Sequence, residues 1–430
     1  MIRKFSFACL YVIMNVYACF AQQVKHVVVI SIDGMRPEFY LKDNWDMPNL
    51  KKLLSYGVYA KQMKSVFPSY TYPSHTAMIT GALPARSGIC YNAKVNGQGE
   101  WNWFAKDIKV ATIWQAIKST GMTSAAVQWP VGATNDITYD IPEIWDVKKP
   151  NDRITEARKY ATPGLIEDIE QNATGELTER NMNERSLAID ENSGKIAAYL
   201  FKKYKPNLLA VHLIEADYAQ HLQGLDGDFV QMAVSNADKA VGCIIESIEQ
   251  SGLKDSTVII VVGDHGFSDT HNVLHPNFWL KQNNIEGKFE TAGGSAFLYL
   301  KDISQLSKVK SILSVVQEQH KNLFSIYDRK KLDEMGADSN ATLALSAFPG
   351  TIFSSTGDTI ELTPTKGGFH GYDPNLKEMY TGFIAAGPKI NKGKEIDELC
   401  VTDIAPLIAK LLGIDFKCPD GKLPHGVIKQ

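Results

Sequence analysis

Residues 27–34 read VVVISIDG, six consecutive apolar or small residues (Val27–Ile32) that stop at Asp33-Gly34. The run is too short for a helix of ordinary length, has no polar face and is rich in β-branched residues. That combination predicts a strand buried on both faces, the kind found inside a parallel sheet. Four further stretches have the same character: Ser124–Gln128 (SAAVQ), Leu208–Leu213 (LLAVHL), Val258–Val262 (VIIVV) and Thr381–Ala386 (TGFIAA). Helical patterns fall between them, over Met47–Ser55, Ser74–Gly81, Thr112–Ser119, Ser186–Lys203, Val230–Gln250 and Asp403–Leu412. Alternating β and α predicts an α/β fold, a mostly parallel sheet sandwiched by helices.

Two stretches break that rhythm. Residues 147–185 are polar and charged, and residues 286–365 carry their own short strand (Phe297–Leu300) and helix (Leu306–Gln319). Both exceed ordinary loop length. They are expected to be insertions forming a cap or small subdomain beside the active face of a single catalytic domain over residues 22–430.

Composition narrows the class. The 430 residues are 44% hydrophobic and 22% charged, with a formal net charge of −3. That is ordinary globular composition, and without a basic excess a nucleic-acid polymer is not an expected partner. The N-terminus reads as an export signal over residues 1–21: Arg3 and Lys4, then an apolar run from Phe5 to Phe20 broken by Asn15, with cleavage after Ala21. A membrane span needs about 20 uninterrupted apolar residues, so no span is expected once the leader is removed. The expected location is periplasmic or secreted, with lipid attachment at Cys19 as the alternative. There is no C-x-x-C pair among the six cysteines, which argues against a thiolate metal cluster, and Cys400 and Cys418 are close enough in sequence to form a disulfide in an oxidising compartment.

Ligands of open parallel sheets gather at the carboxyl ends of the strands. Here those ends deliver Asp33, then Asp217 with His221, then Asp264-His265, and close to the last strand His370. Each has a plainer role available: a strand-end aspartate caps a turn or helix, and Asp217 with His221 is a pair one helical turn apart. Turn chemistry gives no reason for imidazole to accompany carboxylate at several strand ends together. Asp and His without Cys suit Zn²⁺ or Mn²⁺ better than Ca²⁺ or Mg²⁺. The segment Phe67-Pro68-Ser69-Tyr70-Thr71-Tyr72-Pro73-Ser74-His75-Thr76 leads into a helix. Thr71 at its N-terminus either caps that helix or, beside a metal, is the nucleophile, in a place where free N–H groups attract phosphate.

Taken in order, these pieces resemble the nucleotide pyrophosphatase/phosphodiesterase family of the alkaline phosphatase superfamily. The resemblance runs through Ile32–Glu38, Tyr70–His75, Thr80–Ile89, Tyr91-Asn92, Trp129-Pro130, Glu215–Asp217 with His221, Asp264–Gly266 and Gly368–Asp373. It implies an alkaline phosphatase-like fold and a two-zinc site, with manganese as a substitute. Asp217, His221 and His370 would hold one ion. Asp33, Asp264 and His265 would hold the other, which also contacts Thr71. The implied activity is hydrolysis of a phosphodiester or phosphoanhydride through a covalent phospho-threonine at Thr71. Asn92 would bind a phosphate oxygen alongside the Thr71 or Tyr72 backbone N–H, and the small-molecule substrate, a phosphodiester or nucleotide, would rest against Tyr72 and, by a looser match, Trp145.

Tyr72 stands where the family often has Phe, and Ser74 where Asn is usual. Sulfatases of the superfamily carry C/S-x-P-x-R, whereas this chain has Thr71 and His75 at those positions. Two alternatives stay open: a phosphomonoesterase of the same superfamily, which would need added Arg or Lys to grip a dianion, and a catalytically inactive binding module, whose signature would be a lost ligand.

Overall fold

The computed structural model describes residues 23–429 except 96, 98, 321, 322 and 358. The export signal expected over residues 1–21, with Cys9 and Cys19, therefore lies outside the described residues.

Strand His26–Ile32 lies at the centre of a large sheet and pairs in parallel on both sides, with Val28 opposite Leu209 of Leu208–Leu213 and Ile259 of Thr257–Val262. Ser124–Val127 and Tyr139–Ile141 extend the sheet in parallel beyond Leu208–Leu213. Beyond Thr257–Val262 come Thr381–Ala386, Val58–Lys64 and Lys394–Ile396. Alternation along the central strand separates two apolar layers. Val28, Ile30 and Ile32 face helices Pro48–Tyr56, Ala188–Tyr204 and Asp228–Gln250, while Val27 and Val29 face Thr71–Thr80, Ile113–Ser119 and Ile404–Leu412. This is the α/β sandwich that the alternating pattern predicts.

One expectation is corrected. Thr381–Ala386 has the composition of a parallel strand but runs antiparallel to both neighbours, with Phe383 opposite Val262 and Ala386 opposite Ile259. The chain enters this strand from His370–Tyr372, already at the carboxyl edge of the central strands, so it can only run down from that edge. An apolar run carries no direction of its own. Cys400 and Cys418, whose spacing left a disulfide open, are free thiols, as are Cys90 and Cys243. Cys400 heads the turn Val401–Asp403 while Cys418 packs against Gly81, so each faces a different partner.

Residues 147–185 form short helical segments, Ala157–Tyr160 and Leu165–Ile169. Ile154, Ile166, Ile169 and Met182 are buried in the layer of Ala188–Tyr204. Within 286–365, strands Gly287–Ala292, Ser295–Leu300, Phe324–Tyr327 and Leu343–Ala347 make an antiparallel sheet with its own apolar cluster. Its Gly293-Gly294 turn meets residues 369–372 at the carboxyl edge of the central strands. The Gly294 N–H donates to the His370 carbonyl at 2.9 Å and the Ser295 hydroxyl to the Gly371 carbonyl at 2.5 Å. A Cβ on Gly294 would fall 2.2 Å from the Tyr372 ring, so the approach requires glycine there.

Candidate active site

Four segments converge at the carboxyl edge of the central strands. Asp33 follows His26–Ile32, and its N–H donates to the Leu213 carbonyl at 2.8 Å. Gly34 turns the chain away with φ +64, and its N–H donates to Asp264 Oδ1 at 3.0 Å. Asp217 and His221 stand one turn apart on helix Glu215–Gln223. That helix is capped from outside, by the Asp190 carboxylate accepting from the N–H groups of Ile214 (2.8 Å) and Glu215 (3.3 Å). His370 is fixed between the Gly294 turn and Ser69, whose carbonyl accepts from Gly371 N–H at 2.8 Å.

Helix Thr71–Thr80 starts at Thr71, three residues before the expected Ser74, after an extended Tyr70, and closes on Gly81 with φ +64. The Thr71 hydroxyl lies 3.4 Å from His265 Nε2. The Tyr72 N–H donates to Asn92 Oδ1 at 2.9 Å, so that N–H is already engaged and the Asn92 amide nitrogen is directed elsewhere.

The carboxylates and imidazoles form two adjoining clusters. Asp33, Asp264 and His265 form one compact set, and Asp217, His265 and His370 the other, with the ligand atoms of each set within 4.8 Å of one another. His221 joins through Asp217, its Nε2 being 3.3 Å from Asp217 Oδ2. His265 Nε2 is 3.3 Å from Asp33 Oδ1 and 3.1 Å from Asp264 Oδ2, and His370 Nε2 is 3.6 Å from Asp217 Oδ1.

In all three imidazoles the Nδ1 faces a backbone carbonyl: Gly266 for His265 (3.2 Å), Gly368 for His221 (3.0 Å) and Ser69 for His370 (3.1 Å). A carbonyl can only accept, so Nδ1 carries the proton and a neutral ring turns an Nε2 lone pair toward the carboxylates. Burial holds His265 down to about 4 and His370 well below the usual imidazole range, which keeps both neutral. Burial, reinforced by Asp264 and Asp217, raises Asp33 well above the usual carboxyl range, and burial raises Asp217. Asp33 Oδ1, Asp217 Oδ1 and Asp264 Oδ2 are buried with no hydrogen-bond partner. Acceptor facing acceptor in a buried place is costly unless protons or cations lie between. The donor set of carboxylate oxygens and imidazole nitrogens without thiolate fits zinc or manganese.

The clusters open into a cleft of about 540 Å³ whose walls include Thr71, Tyr72, Asn92, Trp145, Asp217 and His370. Tyr72 and Trp145 are nevertheless buried, at 0% and 3% exposure. The Arg153 guanidinium covers a face of Trp145, 3.6 Å from its centroid, and the Trp101 ring packs edge-on against both Tyr72 and Trp145. Trp101, Glu143 and Arg153 on the cleft wall, and His212 behind it, are absent from the sequence reading. Glu143 closely follows Tyr139–Ile141, a three-residue strand too short to announce itself in the sequence, so the strand-end rule did not reach it. His212, a lone imidazole inside an apolar strand, offered a signal.

Comparison with known proteins gives the family and the fold. A family model described as type I phosphodiesterase / nucleotide pyrophosphatase matches residues 27–373. Venom phosphodiesterase 2 of Crotalus adamanteus is 23% identical over 405 residues, 90% of this chain and 45% of the venom protein, so the chain spans less than half of that relative. The bis(5'-adenosyl)-triphosphatase enpp4 of Mus musculus is 23% identical over 426 residues, covering 93% of this chain and 80% of the mouse protein. Among solved structures, an inactive form of murine ectonucleotide pyrophosphatase / phosphodiesterase 5 in complex with AMP superposes with a TM-score of 0.69 at 21% identity, covering 91% of this chain and 96% of that one. The human counterpart gives 0.69 and 21%, covering 92% and 97%. At that identity the likeness establishes the fold. Among the described residues no helix is long and apolar enough to cross a membrane.

Proposed function

Because the chain belongs to the type I phosphodiesterase / nucleotide pyrophosphatase family, we propose that it hydrolyses phosphodiester or phosphoanhydride bonds in small molecules, with Thr71 as the nucleophile and a covalent phospho-threonine as the intermediate. The observation that carries this reading is the set of three buried, unpartnered carboxylate oxygens facing imidazole Nε2 atoms, with the Thr71 hydroxyl at its edge. Asp33, Asp264 and His265, with Thr71, would hold one divalent cation, and Asp217, His221 and His370 a second. Zinc is the ion the donor set favours. When bound, such ions supply positive charge that eases deprotonation of a hydroxyl and offsets charge on the reacting phosphoryl group.

The chain's own residues do the rest. Thr71 Oγ1 releases its proton to solvent, attacks phosphorus and forms a P–O bond as the bond to the leaving oxygen breaks. The leaving group departs as an alcohol or phosphate after taking a proton from solvent. Water then attacks the same phosphorus, the bond to Thr71 Oγ1 breaks, and one proton of that water restores the Thr71 hydroxyl. The N-terminal turn of Thr71–Thr80 and the Asn92 amide nitrogen favour a phosphate oxygen beside Thr71.

A diester is favoured over a monoester by the state of Arg153. Its guanidinium is close-paired with Glu184 and 3.9 Å from Glu143, so its charge is already met. The other lysine or arginine of the cleft wall, Lys366, is exposed, so water and salt screen its charge. A dianionic monoester needs more positive charge than this arrangement leaves free. We also propose export, on the leader-like residues 1–21.

The test is a kcat/KM comparison of bis-p-nitrophenyl phosphate with p-nitrophenyl phosphate, together with metal content. Faster hydrolysis of the diester, near two zinc per chain and loss of activity with chelator are expected. Preference for the monoester would move the reading to phosphomonoesterase.

A further inference from the structure

Behind the carboxylate–imidazole clusters lies a tier of buried polar side chains that the chemistry above leaves unused. His212 is 1% exposed, inside strand Leu208–Leu213. Its Nε2 is 3.0 Å from Asp33 Oδ2. Its Nδ1 is 3.2 Å from the Gln128 carbonyl and 3.5 Å from Glu143 Oε2. Glu143 Oε1 in turn is 3.9 Å from Arg153 Nη1, and Arg153 is paired with Glu184. A row of alternating polar groups thus runs from the cleft wall to Asp33. Each is costly to bury alone; His212 is hydrogen-bonded at both ring nitrogens, whereas Glu143 Oε2 and Arg153 Nη1 meet their neighbours as charge contacts.

The consequence falls on Asp33. A carboxylate free to rotate can present either oxygen, or both, to its surroundings. Here Oδ2 is committed to His212, and Oδ1 is left without a partner, facing His265 Nε2. We infer that His212, braced by Gln128 and Glu143, is a positioning residue that makes Asp33 a one-oxygen metal ligand, and that Arg153 and Glu184 tie the segment after Trp145 to that ligand. This rests on the metal reading of the proposed function. Outer partners of metal ligands typically alter metal affinity by about 10–100-fold.

Two substitutions separate positioning from mere packing, because each keeps an amide in the space of the ring. In His212→Gln the amide nitrogen reaches the place of Nε2 and can still donate to Asp33. In His212→Asn it reaches only the place of Nδ1, so the Gln128 and Glu143 side is kept and Asp33 is released. Zinc affinity of the full chain is measured by competition with a chromophoric chelator, and the ligand field by visible absorption of the Co²⁺-substituted protein. The wild type should hold two tight equivalents, and His212→Gln should stay within about threefold. His212→Asn should weaken one equivalent about 10–100-fold and change the Co²⁺ spectrum. If both variants bind both equivalents like wild type, or lose affinity equally, the positioning role is overturned. A wild-type chain that holds no zinc would instead overturn the metal reading itself.

Discussion

The imidazoles of His265 and His370 lie face to face, their centroids 3.6 Å apart and their planes 8° from parallel. One follows a strand end and the other is delivered by a loop more than a hundred residues later. Two imidazolium cations would repel at this distance, and burial keeps both rings neutral. The stack is thus the shared wall of the two candidate ligand sets, and it would set the two proposed metal positions side by side.

Thr71 should carry the covalent step. Thr71→Ala is expected to lower turnover by roughly 10³-fold or more while leaving zinc content near normal, since all six proposed carboxylate and imidazole ligands remain. Full activity in this variant, measured on bis-p-nitrophenyl phosphate, would rule out the assigned nucleophile.

Asn92 offers a sharper test of phosphate binding. Asn92→Asp keeps the oxygen that accepts from the Tyr72 N–H, so the melting temperature should stay close to wild type. It also replaces the amide donor by a negative charge beside an anionic substrate. The expected loss in kcat/KM is about 10²–10³-fold. Kinetics indistinguishable from wild type would remove Asn92 from the site.

Gly294 links the antiparallel unit to the catalytic edge. In Gly294→Ala the new Cβ would meet the Tyr372 ring, and the Gly294 N–H that holds the His370 carbonyl would have to move. Thermal melting should show a loss on the order of 1–3 kcal/mol, and kcat should fall with it. A stable variant with unchanged kcat would mean that this turn does not hold His370.

Asp140 governs a pH dependence away from the site. It is buried, neither carboxylate oxygen makes a hydrogen bond of normal geometry, and burial raises it well above the usual carboxyl range. Below the unfolded carboxyl pKa both states are protonated and Asp140 costs nothing extra. As pH rises past that value the unfolded chain ionises while the folded one resists, so stability falls until the raised folded pKa is passed. Asp140→Asn should therefore be more stable than wild type at neutral pH, by roughly 1–3 kcal/mol, and the gap should close toward pH 4. Denaturant melts across that range check it, and a gap that is constant or reversed contradicts the assignment.

What could be read from residue order alone was whatever near neighbours in the chain decide. Five apolar runs announced strands, and the Asp and His residues just beyond three of those strands, with His370 ahead of the last, marked a candidate site edge, because burial, turn chemistry and donor type are local properties. Tertiary structure alone decided which way Thr381–Ala386 runs, that Cys400 and Cys418 face different partners, that Arg153 lies across Trp145, and that Asp33 keeps one oxygen for His212. Each of these is a meeting of side chains or strands that the path of the chain brings together, and composition within a segment holds no record of which distant segment it will touch.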